Sequence, residues 1–178
     1  MVRMKAGMII VMISILLSCT GVPDGLEPVK DFELERYLGK WYEIARMDHS
    51  FERGMNNVSA TYSVAESGDI TVVNRGFKPK EEKWKSITGK ARSAGDENLG
   101  SLEVSFFGPF YGSYNIIALD MQNYNYALVV GPSRSYFWIL SRERTMNRAL
   151  LDDLLSKAAA MGIDTEKLIM VEQNLPED

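Results

Sequence analysis

Residues 39–46 read Gly-Lys-Trp-Tyr-Glu-Ile-Ala-Arg. Trp41, Tyr42 and Ile44 favour extended backbone, so the stretch reads as a strand. It opens a series. From Gly39 to Arg142, short β-like runs recur at residues 39–46, 58–64, 70–74, 84–91, 102–106, 114–120, 126–130 and 136–142. The breaks hold Glu66-Ser67-Gly68-Asp69, Gly76 with Pro79, Gly95-Asp96, Gly108-Pro109 with Gly112, and Gly131-Pro132-Ser133. Each is short and built from turn residues, so sequential strands can pair antiparallel. Eight such strands can close on themselves and remove every edge. The expected fold is all-β: an eight-stranded antiparallel up-and-down barrel with room inside for one small ligand.

After the strands the period changes. Leu150, Leu151, Leu154, Leu155 and Ala158 recur at three- and four-residue spacing within 146–161. This predicts an amphipathic helix packed outside the barrel, capped by Thr145 and ended by Gly162. Leu168-Ile169-Met170-Val171 predicts one more short strand.

The chain has 178 residues, enough for one domain. Its 20 basic and 24 acidic residues give a net charge of −4, which argues against an electrostatic nucleic-acid binder. One Cys and one His exclude a disulfide framework and a Cys/His zinc site, and no metal or cofactor is expected.

The N-terminus reads as a leader rather than as fold. Arg3 and Lys5 precede an uncharged run, residues 6–17, of signal-peptide length. About 20 apolar residues would be needed to span a bilayer. Leu16-Leu17-Ser18-Cys19 resembles a bacterial lipobox. That resemblance implies cleavage after residue 18 and acylation of Cys19, the only cysteine. Buried acyl chains contribute about 0.8 kcal/mol per methylene, enough to anchor a protein without a spanning helix. The expected organisation is a signal peptide over 1–18, a lipidated tether over 19–30, and a globular domain over 31–178. Gly21, not Asp, directly follows Thr20, which points to the outer membrane, facing the periplasm, rather than inner-membrane retention.

The motifs carry a family resemblance. Residues 39–46 resemble the lipocalin signature around G-x-W. Trp138-Ile139-Leu140-Ser141-Arg142 resembles the third lipocalin motif, and Asp120-Met121-Gln122-Asn123-Tyr124 stands where many lipocalins have T-D-Y. Residues 48–54, 104–112 and 115–120 are similar to bacterial outer-membrane lipocalins of the Blc type, lipoproteins related to apolipoprotein D. The resemblance spans roughly residues 31–173. It implies a lipid-binding barrel, with fatty acids or lysophospholipids as candidate ligands.

Strand counting places Trp41, at the start of strand one, and Arg142, at the end of strand eight, at the same end, the floor. Their expected role is structural: a guanidinium on an indole closes the barrel. The loops after strands one, three, five and seven then surround the mouth. Phe107-Gly108-Pro109-Phe110-Tyr111 is apolar for a loop there. It reads as a rim for ligand entry or as a dimer or membrane contact; a loop folded onto its own barrel stays open. Alternation along the strands turns inward Leu102, Val104 and Phe106; Tyr114, Ile116 and Ala118; Tyr126, Leu128 and Val130; and Tyr136, Trp138 and Leu140. Toward the mouth these offer Phe106, Tyr114, Tyr126 and Trp138 as ligand contacts.

Asp48-His49-Ser50 is not a catalytic triad, because triad members come from separate elements. His49 is expected as a solvated loop residue. Glu43 and Glu103 have no partner legible in the sequence. The expected function is therefore not enzymatic. It is storage or transport of amphipathic lipid for envelope maintenance or stress. The alternative is a structural or interaction lipoprotein that dimerises or docks through its mouth loops.

Overall fold

A computed structural model describes residues 21–176, so the leader and Cys19 lie outside the described residues. The strands are β1 (Gly39–Arg46), β2 (Asn56–Val64), β3 (Ile70–Lys78), β4 (Lys83–Ser93), β5 (Ser101–Phe107), β6 (Phe110–Leu119), β7 (Tyr126–Val130), β8 (Phe137–Ser141) and β9 (Ile169–Met170). All sequential pairs are antiparallel, and β1 pairs with both β8 and β2, which closes an eight-stranded barrel. Six of the eight expected barrel strands run longer or shorter than the sequence indicated. The β3–β4 and β5–β6 hairpins extend most, because their strands pair almost to the turn, at Lys78↔Lys83 and Phe107↔Phe110.

The seam between β1 and β2 is only half paired. Gly39–Tyr42 face Ser59–Tyr62, after which β1 turns to β9, with Ala45 opposite Met170 and Arg46 opposite Ile169. The C-terminal segment fills the gap. Gln173 donates to the carbonyls of Glu43 (2.9 Å) and Val58 (2.8 Å), one on each side. The expected last strand is thus a stitch across the seam.

Two cores flank the barrel wall. The inner one includes Trp41, Tyr62, Val72, Ile116, Val129 and Leu140. The outer one lies under α2 (Arg148–Ala160) and includes Ile44, Leu128, Ile139, Leu154 and Ala158. The helix starts later than expected. Asn147, not Thr145, caps it, its side-chain oxygen accepting from the amides of Ala149 (2.9 Å) and Leu150 (3.4 Å). A one-turn helix, α1 (Leu34–Tyr37), lies at the floor with Tyr37 fully buried. Gly39 follows at φ +94°, a conformation glycine adopts without strain.

The floor is closed as strand counting predicts. The Arg142 guanidinium lies 3.9 Å from the centre of the Trp41 ring. It also donates to the carbonyls of Lys40 (2.9 Å), Arg36 (2.8 Å) and Tyr124 (3.2 Å). Trp41 donates its indole N–H to the Tyr37 carbonyl (2.8 Å) and stacks on the Tyr37 ring.

Candidate functional site

A cavity opens at the mouth in two connected lobes that share Phe51, Glu52, Asn74 and Phe106. The inner lobe is about 250 Å³ and reaches Tyr62, Val72, Tyr114, Trp138 and Leu140. The outer lobe is about 440 Å³ and is walled by Met55, Ile87, Phe106, Phe107 and Phe110, with Arg75 and Lys85 at its edge. These volumes suit a small-molecule ligand.

Phe106, Tyr114 and Trp138 line the cavity, but Tyr114 lies deeper than the mouth position expected for it, its hydroxyl 2.7 Å from that of Tyr37 at the floor. Tyr126 does not line the cavity: it packs against the outer core under α2. The inward set of β7 is Ala127 and Val129, and Leu128 and Val130 face the helix. Both faces of β7 are apolar because α2 covers the outside, so alternation alone could not choose between them. On β6, Tyr114 and Ile116 point in, whereas Ala118 faces out. The register shift between Ile116 and Ala118 reverses the parity and brings Leu119 inward.

A second bulge builds a polar cluster that the sequence did not reveal. Glu43 and Arg46 lie three apart on one strand and would normally point to opposite faces. The shift between Glu43 and Ala45 sends Ile44 and Ala45 together to the outer core and returns Arg46 to the inside. Arg46 then lies 3.2 Å from the Glu43 carboxylate. It also donates to the carbonyls of Glu52 (3.0 Å) and Met55 (2.9 Å), which folds the β1–β2 loop inward.

That loop carries His49, which is buried rather than solvated as expected. Its ring stacks on Phe51 at 4.0 Å between centroids, and its Nε2 lies 3.1 Å from the Glu52 carboxylate. The Trp138 indole donates to the same Glu52 oxygen (3.3 Å). The Glu43 and Glu52 carboxyls lie close enough to influence each other's ionisation. Burial, and then the charge of Glu52, push the Glu43 carboxyl well above its ordinary range. Burial would also raise Glu52, but the His49 imidazole, the nearby Glu43 carboxyl and the hydrogen bond from Trp138 outweigh it and hold Glu52 low. The surroundings thus favour the neutral form of Glu43 and the ionised form of Glu52.

Deeper in, the Tyr37 and Tyr114 hydroxyls meet at 2.7 Å, and the Tyr62 ring packs against both rings, at 5.5 Å and 6.0 Å between centroids. Burial raises all three phenols, so they remain neutral hydroxyls that can donate. Two further groups face the cavity without a hydrogen-bond partner among the described residues: the side-chain oxygens of Asn74 and Ser113. The whole is an apolar, aromatic tube with a few polar points near its mouth and its base. Among the described residues no cluster of His, Cys, Asp or Glu is placed to hold a metal ion.

The mouth loop is not folded onto its own barrel. Phe107 is 73% exposed and Phe110 is 78% exposed.

Comparison with known proteins agrees with this architecture. The lipocalin-like domain family matches residues 32–173. Outer membrane lipoprotein Blc of Vibrio cholerae is 49% identical, covering 92% of this chain and 96% of that protein. Outer membrane lipoprotein Blc of Escherichia coli K12 is 48% identical, covering 85% of each. Among solved structures, insecticyanin from the tobacco hornworm Manduca sexta superposes with a TM-score of 0.67 at 23% identity, over 83% of this chain and 84% of that one, and so shares the fold. The chain belongs to the lipocalin-like family.

Proposed function

We propose that this protein is a lipid-anchored lipocalin of the outer membrane, facing the periplasm, that holds one amphipathic lipid for storage or transport during envelope maintenance or stress. The candidate ligands are fatty acids and lysophospholipids. The observation that carries the reading is the cavity itself: aromatic and aliphatic walls with sparse polar points at Glu52, Asn74, Ser113 and the tyrosine hydroxyls. An acyl chain gains about 0.8 kcal/mol per buried methylene, so ten of them contribute about 8 kcal/mol, several of which association consumes. The polar points then meet the head group or carbonyl of the ligand. Acylation of Cys19 provides the anchor, and the names of the relatives from Vibrio cholerae and Escherichia coli support that placement.

No chemistry is part of this reading. Glu43 and Glu52 both lie against Arg46, at 3.2 Å and 3.9 Å. That leaves neither free to work as one of two carboxylates across a cleft. The test is a titration of the protein with lysophospholipid or fatty acid, followed by intrinsic fluorescence. A saturable change that Trp138→Phe reduces is expected; no change across the panel would contradict the proposal. The exposed Phe107 and Phe110 favour a second reading, an interaction lipoprotein with no physiological ligand that dimerises or docks through its mouth. That reading predicts no lipid binding.

A further inference from the structure

We infer that the closed end of the inner lobe is a subsite for an uncharged oxygen group, and that it selects acyl ligands carrying a hydroxyl in the middle of the chain, a reading that rests on the lipid binding proposed above. The subsite has donors at its base and an acceptor above them. The donors are phenols. Tyr62 and Tyr114 both line the inner lobe. The Tyr114 hydroxyl meets that of Tyr37 at 2.7 Å, and this one bond uses one of the pair's two protons. The other proton is left to give. Burial keeps all three phenols protonated. Beneath them Tyr37 is fully buried and stacked on Trp41, so the base is sealed.

The acceptor is Asn74. Tyr62 of β2 stands opposite Val72 of β3, and Asn74 comes two residues further along β3, on the same inward face. Diagonal neighbours of this kind lie about 7–8 Å apart. A ligand oxygen set between the two can touch both. The Asn74 side-chain oxygen is buried and has no hydrogen-bond partner among the described residues. A hydroxyl can accept from a phenol and donate to Asn74 at once. A plain hydrocarbon chain does neither, and it shuts these groups away from water unpaired.

Charge sets the direction of the chain, and depth sets the place of the hydroxyl. The inner lobe is lined by Glu43 and Glu52 and by no Lys or Arg among the described residues. The outer lobe has Arg75 and Lys85 at its edge. An anionic head group therefore stays in the outer lobe, and the chain runs inward. A carboxylate entering first would be desolvated beside two acidic residues. Tyr114 follows Phe110 by four residues on β6, which is about 13 Å along the strand. With the head outside, the carbons that reach the base lie far from the carboxyl group.

The test is a competition between stearate and a hydroxystearate, read by native mass spectrometry, since the two complexes differ by one oxygen. The protein is the mature chain with Cys19→Ser, so that no acyl chain of its own enters the cavity. At equal concentrations the mid-chain hydroxystearate should outcompete stearate by about tenfold, equivalent to about 1.4 kcal/mol. A hydroxyl next to the carboxyl should give no advantage. Tyr62→Phe should bring the ratio near one, whereas Tyr42→Phe, outside both lobes, should keep it. If Tyr62→Phe does not fold, Asn74→Leu removes the acceptor and asks the same question. A ratio near one on the unsubstituted pocket overturns the subsite and leaves lipid binding standing. So does an advantage that Tyr62→Phe or its substitute leaves intact, or one that is largest with the hydroxyl beside the carboxyl. If neither fatty acid binds, the lipid-binding reading fails and the subsite fails with it.

Discussion

Arg142, just past the end of β8, covers the ring of Trp41 near the start of β1, with 3.9 Å between guanidinium and ring centre. The same guanidinium bonds to carbonyls of α1, of β1 and of the β6–β7 loop. One side chain therefore joins the two ends of the barrel to the helix at its floor. A lysine cannot reproduce this, since it lacks the planar fork. Arg142→Lys is expected to cost about 2 kcal/mol in stability. Urea unfolding checks this, and lipid affinity of the folded fraction should not change, because the pair lies at the closed end.

The buried acid pair predicts a pH dependence. Glu43 titrates above its ordinary value of 4.5 in the folded state, so folding takes up a proton there. Its contribution is full below that ordinary value and is lost as pH rises toward the folded one. Glu52 is shifted down, so its contribution is present above the ordinary carboxylate range and is lost as acid carries pH through its folded value. Stability should pass through a maximum on the acid side of neutrality. Glu43→Gln, which keeps a donor toward Glu52 but cannot ionise, should gain on the wild type at about pH 8 relative to about pH 5. Denaturation midpoints at the two pH values measure the difference; parallel behaviour would refute it.

Gly89 makes room for the pocket wall. A Cβ there would lie 2.5 Å from the Ser105 carbonyl and 2.7 Å from the Phe106 ring. Both are packed against β4, so they cannot simply swing away. Gly89→Ala should cost about 1–3 kcal/mol through overpacking. It should also weaken lipid binding, because Phe106 borders both lobes. A thermal melt and a binding titration on the same sample report the two effects.

Trp138 and Tyr42 make a matched pair for the pocket assignment. Trp138 lines the inner lobe and bonds to Glu52. Tyr42 lines neither lobe. Trp138→Arg should lower lipid affinity by at least about tenfold, since it places a charge in an apolar wall. Tyr42→Ala should leave affinity unchanged. Equal affinities in the two variants would remove the assignment.

What could be read from the sequence followed physical regularity. The barrel, its outer helix and the Trp41–Arg142 closure follow from strand count, turn residues and period. Phe106, Tyr114 and Trp138 obey simple alternation. Tyr126 escaped because β7 is apolar on both faces, one turned to the cavity and one to α2. The Glu43–Arg46–Glu52 cluster escaped because it depends on a bulge, which moves Arg46 to the face opposite the one its position implies. No local pattern announces that extra residue. His49 was expected in solvent because it lies in a loop, yet Arg46 ties that loop to the interior through two carbonyls. The stitch by Gln173 joins residues too far apart in sequence for any periodicity to register.

The central claim is that the cavity holds lipid. The residues of the two cores run from Leu26 to Leu168, all within the chain from residue 20 onward. Native mass spectrometry of that chain, titrated with lysophospholipids and fatty acids, tests the claim most directly. The predicted result is one lipid per barrel, displaced by a competitor and lost in Trp138→Arg. A barrel that stays empty across the whole series would contradict it.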